Sequence, residues 1–83
     1  MKFRAEIDIM PLKELLDPQG KAVQLGLHNL GIDQMENVRI GKHITVEVDA
    51  DSESSANGMV EKACKSLLAN MIMENYTFTI TQV

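Results

Sequence analysis

Lys2-Phe3-Arg4-Ala5-Glu6-Ile7-Asp8-Ile9 decides the fold, because Phe3, Ala5, Ile7 and Ile9 alternate strictly with Lys2, Arg4, Glu6 and Asp8. Side chains point to opposite faces along a strand, so this run is a strand with one apolar and one charged side. A strand of this kind wants cover on one face only. Pro11 ends it, since proline offers no N–H to a ladder. Leu12, Leu15 and Leu16 follow at helical spacing, which predicts a short turn plugging one end of the core.

Working outward, Asp17 is a strong N-cap and Pro18 suits the first helical position, where no hydrogen bond is lost. A helix is expected from Pro18 to Leu30, with Ala22, Val23, Gly26, Leu27 and Leu30 as its apolar stripe and Gly31 as its stop. The even positions Val38, Ile40, Ile44, Val46 and Val48 are apolar, which predicts a long second strand from Val38 to Val48. Gly41 falls inside it, and unless the strand bends there Lys42 points into the apolar face; a kink is expected at Gly41. A second helix is expected to begin at Asp51 or Ser52, with a stripe of Ala56, Met59, Val60, Ala63, Cys64, Leu67, Leu68 and Met71. Tyr76, Phe78 and Ile80 alternate with Thr77, Thr79 and Thr81 in a last strand.

The order strand, helix, strand, helix, strand, with one apolar side to each strand, predicts an α+β two-layer sandwich: a small antiparallel sheet with two helices on one face. The 83 residues allow a single domain spanning 1–83, since typical domains hold ~100–150 residues. So small a chain buries only about 60% of its unfolded surface, and three strands leave open edges; both favour completion by dimerisation.

Composition narrows the function. A net charge of −4 lacks the cationic excess that phosphate neutralisation needs, and Phe3, Tyr76 and Phe78 are the only aromatics, so nucleic acid is not an expected partner. No apolar run nears the ~18 residues of a membrane helix. One cysteine cannot pair within the chain and the start is a charged strand, so the cytoplasm is the expected compartment.

Little in the chain points to bond-making chemistry. His28, His43 and Cys64 lie on different elements, so no metal site is expected; the histidines read as solvated and Cys64 as a buried, inert thiol. No strained serine turn and no glycine-rich phosphate loop is present, and no catalytic residue is assigned. Two runs exceed what packing demands: Asp17-Pro18-Gln19-Gly20 and Val38-Arg39-Ile40-Gly41-Lys42. A capping box would place Glu or Gln where Gly20 stands, so something approaches that backbone closely: either a neighbouring strand of this chain or a partner. Leu25 projects among Lys21, Gln24 and His28 on the polar side of its helix, as a lone exposed leucine or a contact residue.

Those runs, with Val23-Gln24, Leu27-His28 and Leu67-Leu68-Ala69-Asn70, resemble in order and spacing the blocks of a known family, the small PurS subunit of phosphoribosylformylglycinamidine synthase in purine biosynthesis. The resemblance covers the whole chain and departs from the family only mildly, in the polar stretch from Asp49 to Asn57. It implies a non-catalytic subunit that joins a glutaminase to a large synthetase and supports ammonia transfer between them. The synthetase partner would use ATP and Mg, while this subunit binds no cofactor. It implies a homodimer, or a tetramer built from it. With the resemblance in view, Asp17, Gln19, Gly20, Leu25, Arg39, Gly41 and Lys42 are the expected partner-binding residues. The alternative from another class is a ligand-sensing regulatory α+β domain, which would need a polar pocket at a dimer seam.

Overall fold

A computed structural model describes all residues, 1–83. The elements are β1 (Lys2–Pro11), α1 (Pro18–Asn29), β2 (Lys42–Asp49), α2 (Glu53–Ala63), a π-helical turn (Cys64–Leu68) and β3 (Glu74–Gln82). This is the expected β-α-β-α-β order. The sheet runs β2-β1-β3 with both pairings antiparallel, so the most strictly alternating strand occupies the centre. Its register aligns apolar rows: Phe3 faces Val48, Ala5 lies between Val46 and Ile80, and Ile7 between Ile44 and Phe78. A slip of one residue would turn every one of these side chains to the charged face, which is what fixes the pairing.

α2 covers the apolar face. Ser52 caps it, its Oγ accepting from the Ser55 N–H at 3.1 Å, and Ala56, Val60 and Cys64 recur every four residues and are buried. Val60 and Cys64 pack with Ala5, Ile7, Ile9 and Ala69, while Ala56 joins Phe3 and Ala50 in a second cluster. The Tyr76 hydroxyl donates to the Glu61 carboxylate, and its ring stacks on Phe78 at 6.2 Å and 14°. That bond pushes the phenol up to about 12 and holds the carboxyl below its ordinary value.

Four expectations change. The stripe of α2 does not continue to Leu67: the Ala69 N–H donates to the Cys64 carbonyl at 3.0 Å, an i→i+5 bond that slows the angular advance, so Leu68 meets the core and Leu67 faces out. Met59 and Met71 are likewise exposed. Leu15 and Leu16 do not plug the core; their turn forms, with the Leu15 N–H on the Leu12 carbonyl, but nothing packs over it because the chain departs at Asp17. The second strand begins at Lys42 rather than Val38. Residues 38–41 leave the sheet at Gly41, where a Cβ would stand 2.2 Å from Met10 Sδ and 2.4 Å from the Ile9 carbonyl oxygen, so glycine alone permits the approach.

The other helix stands away from the sheet. Gly20 is the only buried residue of α1, and the protein is 51 Å long, a span that β1 (about 33 Å) and α1 (about 18 Å) reach when laid end to end rather than side by side. The radius of gyration is 16.4 Å, whereas a compact chain of this length has roughly 12 Å. The segment from Leu12 to Gly41 is therefore an arm.

Candidate functional site

The base of that arm is where the two unexplained runs meet. Asp17 is both N-cap and clasp: Oδ1 accepts from the Gly20 N–H at 3.0 Å and Oδ2 from the Ile40 N–H at 2.9 Å. These two amides, with the Arg39 charge beside them, hold the carboxyl below its ordinary value despite partial desolvation. Gly20 lies so close to the returning chain that a Cβ would sit 2.1 Å from the Val38 carbonyl oxygen. The neighbour that the missing side chain signalled is thus this chain's own backbone.

Arg39 completes the junction. One guanidinium nitrogen donates to the carbonyls of Pro11 (3.0 Å) and Leu12 (2.7 Å), where β1 ends and the arm begins. Its Nε is buried without a hydrogen bond and faces Asp17 Oδ2 at 3.8 Å, so that contact is charge attraction alone. Gln24 Oε1 accepts from the Val38 N–H at 3.4 Å, tying helix to return strand one turn further out. At the sheet end Lys42, opposite Ile9, reaches Glu74 at 3.6 Å. Pro11, Leu15, Leu16, Gln19, Lys42 and Glu74 are among the residues around an open cleft of about 440 Å³ beside the junction.

Of the seven residues expected to bind partners, five come together here: Asp17, Gly20 and Arg39 in the clasp, with Gln19 and Lys42 on the cleft. Gly41 marks the adjoining exit from the sheet. Leu25 lies elsewhere, on the outer face of α1 and 62% exposed, beside Lys21, Gln24 and His28. Asp17, Gly20, Arg39 and Gly41 make contacts within the chain, whereas Gln19 and Leu25 are exposed. Sequence reasoning missed the Pro11 and Leu12 carbonyls, which carry no residue signature, and Gln24, whose role requires knowing that residue 38 returns alongside it.

The remaining polar groups do not converge on a reacting centre. Cys64 is fully buried and desolvation pushes its thiol up. His43 sits on the open charged face of the sheet with Nδ1 2.7 Å from Asp8 Oδ1, which raises its pKa. No group of three or more His, Cys, Asp or Glu is placed to hold a metal ion, and no helix is long and apolar enough to cross a membrane. Fold and site together define a small α+β protein that presents an arm held by a polar clasp.

Comparison with known proteins agrees. Residues 4–82 match the family model described as PurS, phosphoribosylformylglycinamidine (FGAM) synthase, and the chain belongs to that family. It is 48% identical over 79 residues to the FGAM synthase subunit PurS of Synechocystis, covering 95% of this chain and 79% of that one, and 31% identical to its counterpart in Bacillus subtilis, covering 98% and 95%. A chain of the solved PurLQS structure from Thermotoga maritima superposes with a TM-score of 0.90 at 30% identity, covering 98% of this chain and 99% of that one. Members of this family are subunits of FGAM synthase, and the solved PurS of Methanocaldococcus jannaschii is described as one of the subunits of formylglycinamide ribonucleotide amidotransferase in the purine biosynthetic pathway.

Proposed function

We propose that this chain is the bridging subunit of an FGAM synthase complex in the cytoplasm, working as a homodimer between a glutaminase and a large synthetase. The synthetase uses ATP and Mg to activate the amide oxygen of formylglycinamide ribonucleotide, and ammonia released from glutamine displaces the phosphate to give the amidine. This chain holds the two centres in register so that ammonia passes between them. The observation that carries the reading is the superposition on the PurLQS chain along nearly its full length, arm included. On this proposal Gln19, Leu25 and Lys42 meet the partner subunits, while Asp17, Gly20, Arg39 and Gly41 set the position of the arm that presents them. Glutaminase and synthetase mixed with the wild-type chain should co-elute as one complex in size-exclusion chromatography. A Gln19→Ala, Leu25→Asp, Lys42→Ala variant should remain folded and fail to bring them together; unchanged co-elution would remove these three from the interface.

A further inference from the structure

Two features at the base of the arm are not used up by the fold. The adjacent Leu15 and Leu16 are 38% and 67% exposed, and they border both the cleft of about 440 Å³ and a second, smaller notch of about 200 Å³. That notch is lined by donors without acceptors. Arg39 uses one Nη on the Pro11 and Leu12 carbonyls and turns its Nε to Asp17, so its other Nη has no acceptor in this chain. Gln24 accepts through Oε1 and leaves its amide nitrogen unbonded, and the Lys21 ammonium is in no ion pair.

We infer that this notch takes a carboxylate side chain from another subunit of the complex, with apolar neighbours of that carboxylate covering Leu15 and Leu16. The inference rests on the bridging reading above and adds the chemistry by which a partner is recognised. Charge complementarity carries it. The chain has a net charge of −4, yet the notch sets Lys21 and Arg39 against a single carboxylate, Asp17, whose two oxygens already accept from the Gly20 and Ile40 amides. The clasp holds Arg39 in place before any partner arrives, so its guanidinium loses little freedom on binding. A carboxylate brings two acceptor oxygens to these two cations, and charge-assisted hydrogen bonds of this kind are the strong ones. The leucines decide the source of the carboxylate. A free anion would satisfy the donors and leave Leu15 and Leu16 in water, whereas a protein segment covers them, and apolar residues beside a desolvated charge are what interface anchors are made of. Gln19 and Lys42 line the larger cleft that the same leucines border, so the surface is continuous with two residues already proposed to meet a partner.

Purified glutaminase and purified synthetase are titrated separately onto the immobilised chain, at low and at moderate salt, using wild type, Lys21→Glu and Leu16→Ser. Both positions are exposed, and a carboxylate near the N-terminus of α1 favours the helix, so both variants should keep the wild-type circular dichroism. For one of the two subunits, Lys21→Glu should weaken binding on the order of 100-fold and flatten its salt dependence, and Leu16→Ser should weaken it on the order of 10-fold. Unchanged affinity of both subunits for Lys21→Glu overturns the carboxylate notch while sparing the bridging role. A Lys21→Glu defect confined to self-association in sedimentation equilibrium also overturns it, since the notch would then belong to a second copy. A wild-type chain that binds neither subunit overturns the notch and the bridging role together.

Discussion

Replacing Gly20 with alanine tests the clasp, because the same substitution elsewhere in the chain should have the opposite sign. In an exposed helix interior, glycine to alanine gains about 1 kcal/mol from reduced chain entropy. Gly58 in α2 is such a site, with nothing within 4 Å of an added Cβ; Gly58→Ala should therefore raise the melting temperature by roughly 4–8 °C at fixed protein concentration. At Gly20 the added Cβ would stand 2.1 Å from the Val38 carbonyl oxygen and 3.0 Å from its carbon, both backbone atoms. Val38 must retreat by more than an ångström, which stretches the Ile40 N–H bond to Asp17 and the Val38 N–H bond to Gln24. Overpacking of this kind costs roughly 1–3 kcal/mol and each of the two weakened hydrogen bonds about 1 kcal/mol, so after the helical gain Gly20→Ala is left destabilised by roughly 2–4 kcal/mol. Urea unfolding followed by circular dichroism, at a concentration well above the dimer dissociation constant, reads both variants. Equal stabilisation by the two substitutions would refute the close approach of α1 to the returning chain.

Other outcomes follow from the same geometry. Tyr76 is the only tyrosine and there is no tryptophan, so ultraviolet titration of phenolate isolates it; its midpoint should stand at about 12 and return toward the ordinary value in Glu61→Gln. Hydrogen bonding to Asp8 raises the His43 pKa above its ordinary 6.5, so its contribution to stability is complete below that value and is lost as pH rises through the folded value. Urea midpoints should therefore fall as pH rises above the ordinary 6.5, and Asp8→Asn should diminish that fall. Arg39→Lys keeps the charge but replaces a planar fork with a point donor that reaches one carbonyl at a time. Hydrogen exchange should then quicken at Ile40 and Gly20 while the amides of β1 stay protected. Ile7→Val, in the fully buried centre of the sheet, should cost about 0.5–1.5 kcal/mol in the same unfolding assay.

Much of the architecture was legible because it depends on period. The alternation in Lys2–Ile9 specified the central strand, the Asp17-Pro18 pair the start of α1, and the spacing of Ala56, Val60 and Cys64 the buried side of α2. What depends on distant backbone was not legible. A glycine inside an alternating run announces a close approach without naming the neighbour, so Gly41 signalled a break while Val38 and Ile40 still read as strand. The stripe of α1 reads as core-facing in any amphipathic analysis, yet one chain leaves it uncovered, because periodicity says that a surface wants burial and not in which molecule. The π-helical turn that carries Leu67 outward has no residue signature at all. In the candidate site, Gly20 announced a close approach without saying whether the neighbour was this chain or a partner; in the fold it meets Val38, while Arg39 reaches the Pro11 and Leu12 carbonyls.

The central claim is that this subunit couples two active sites without reacting in either, and reconstitution measures that directly. Amidine formation by the synthetase and glutaminase is followed with free ammonia and then with glutamine as the nitrogen source, with and without the purified chain. Synthesis from ammonia should proceed in its absence, and synthesis from glutamine should appear only when it is added; equal glutamine-dependent turnover without the chain would contradict the claim.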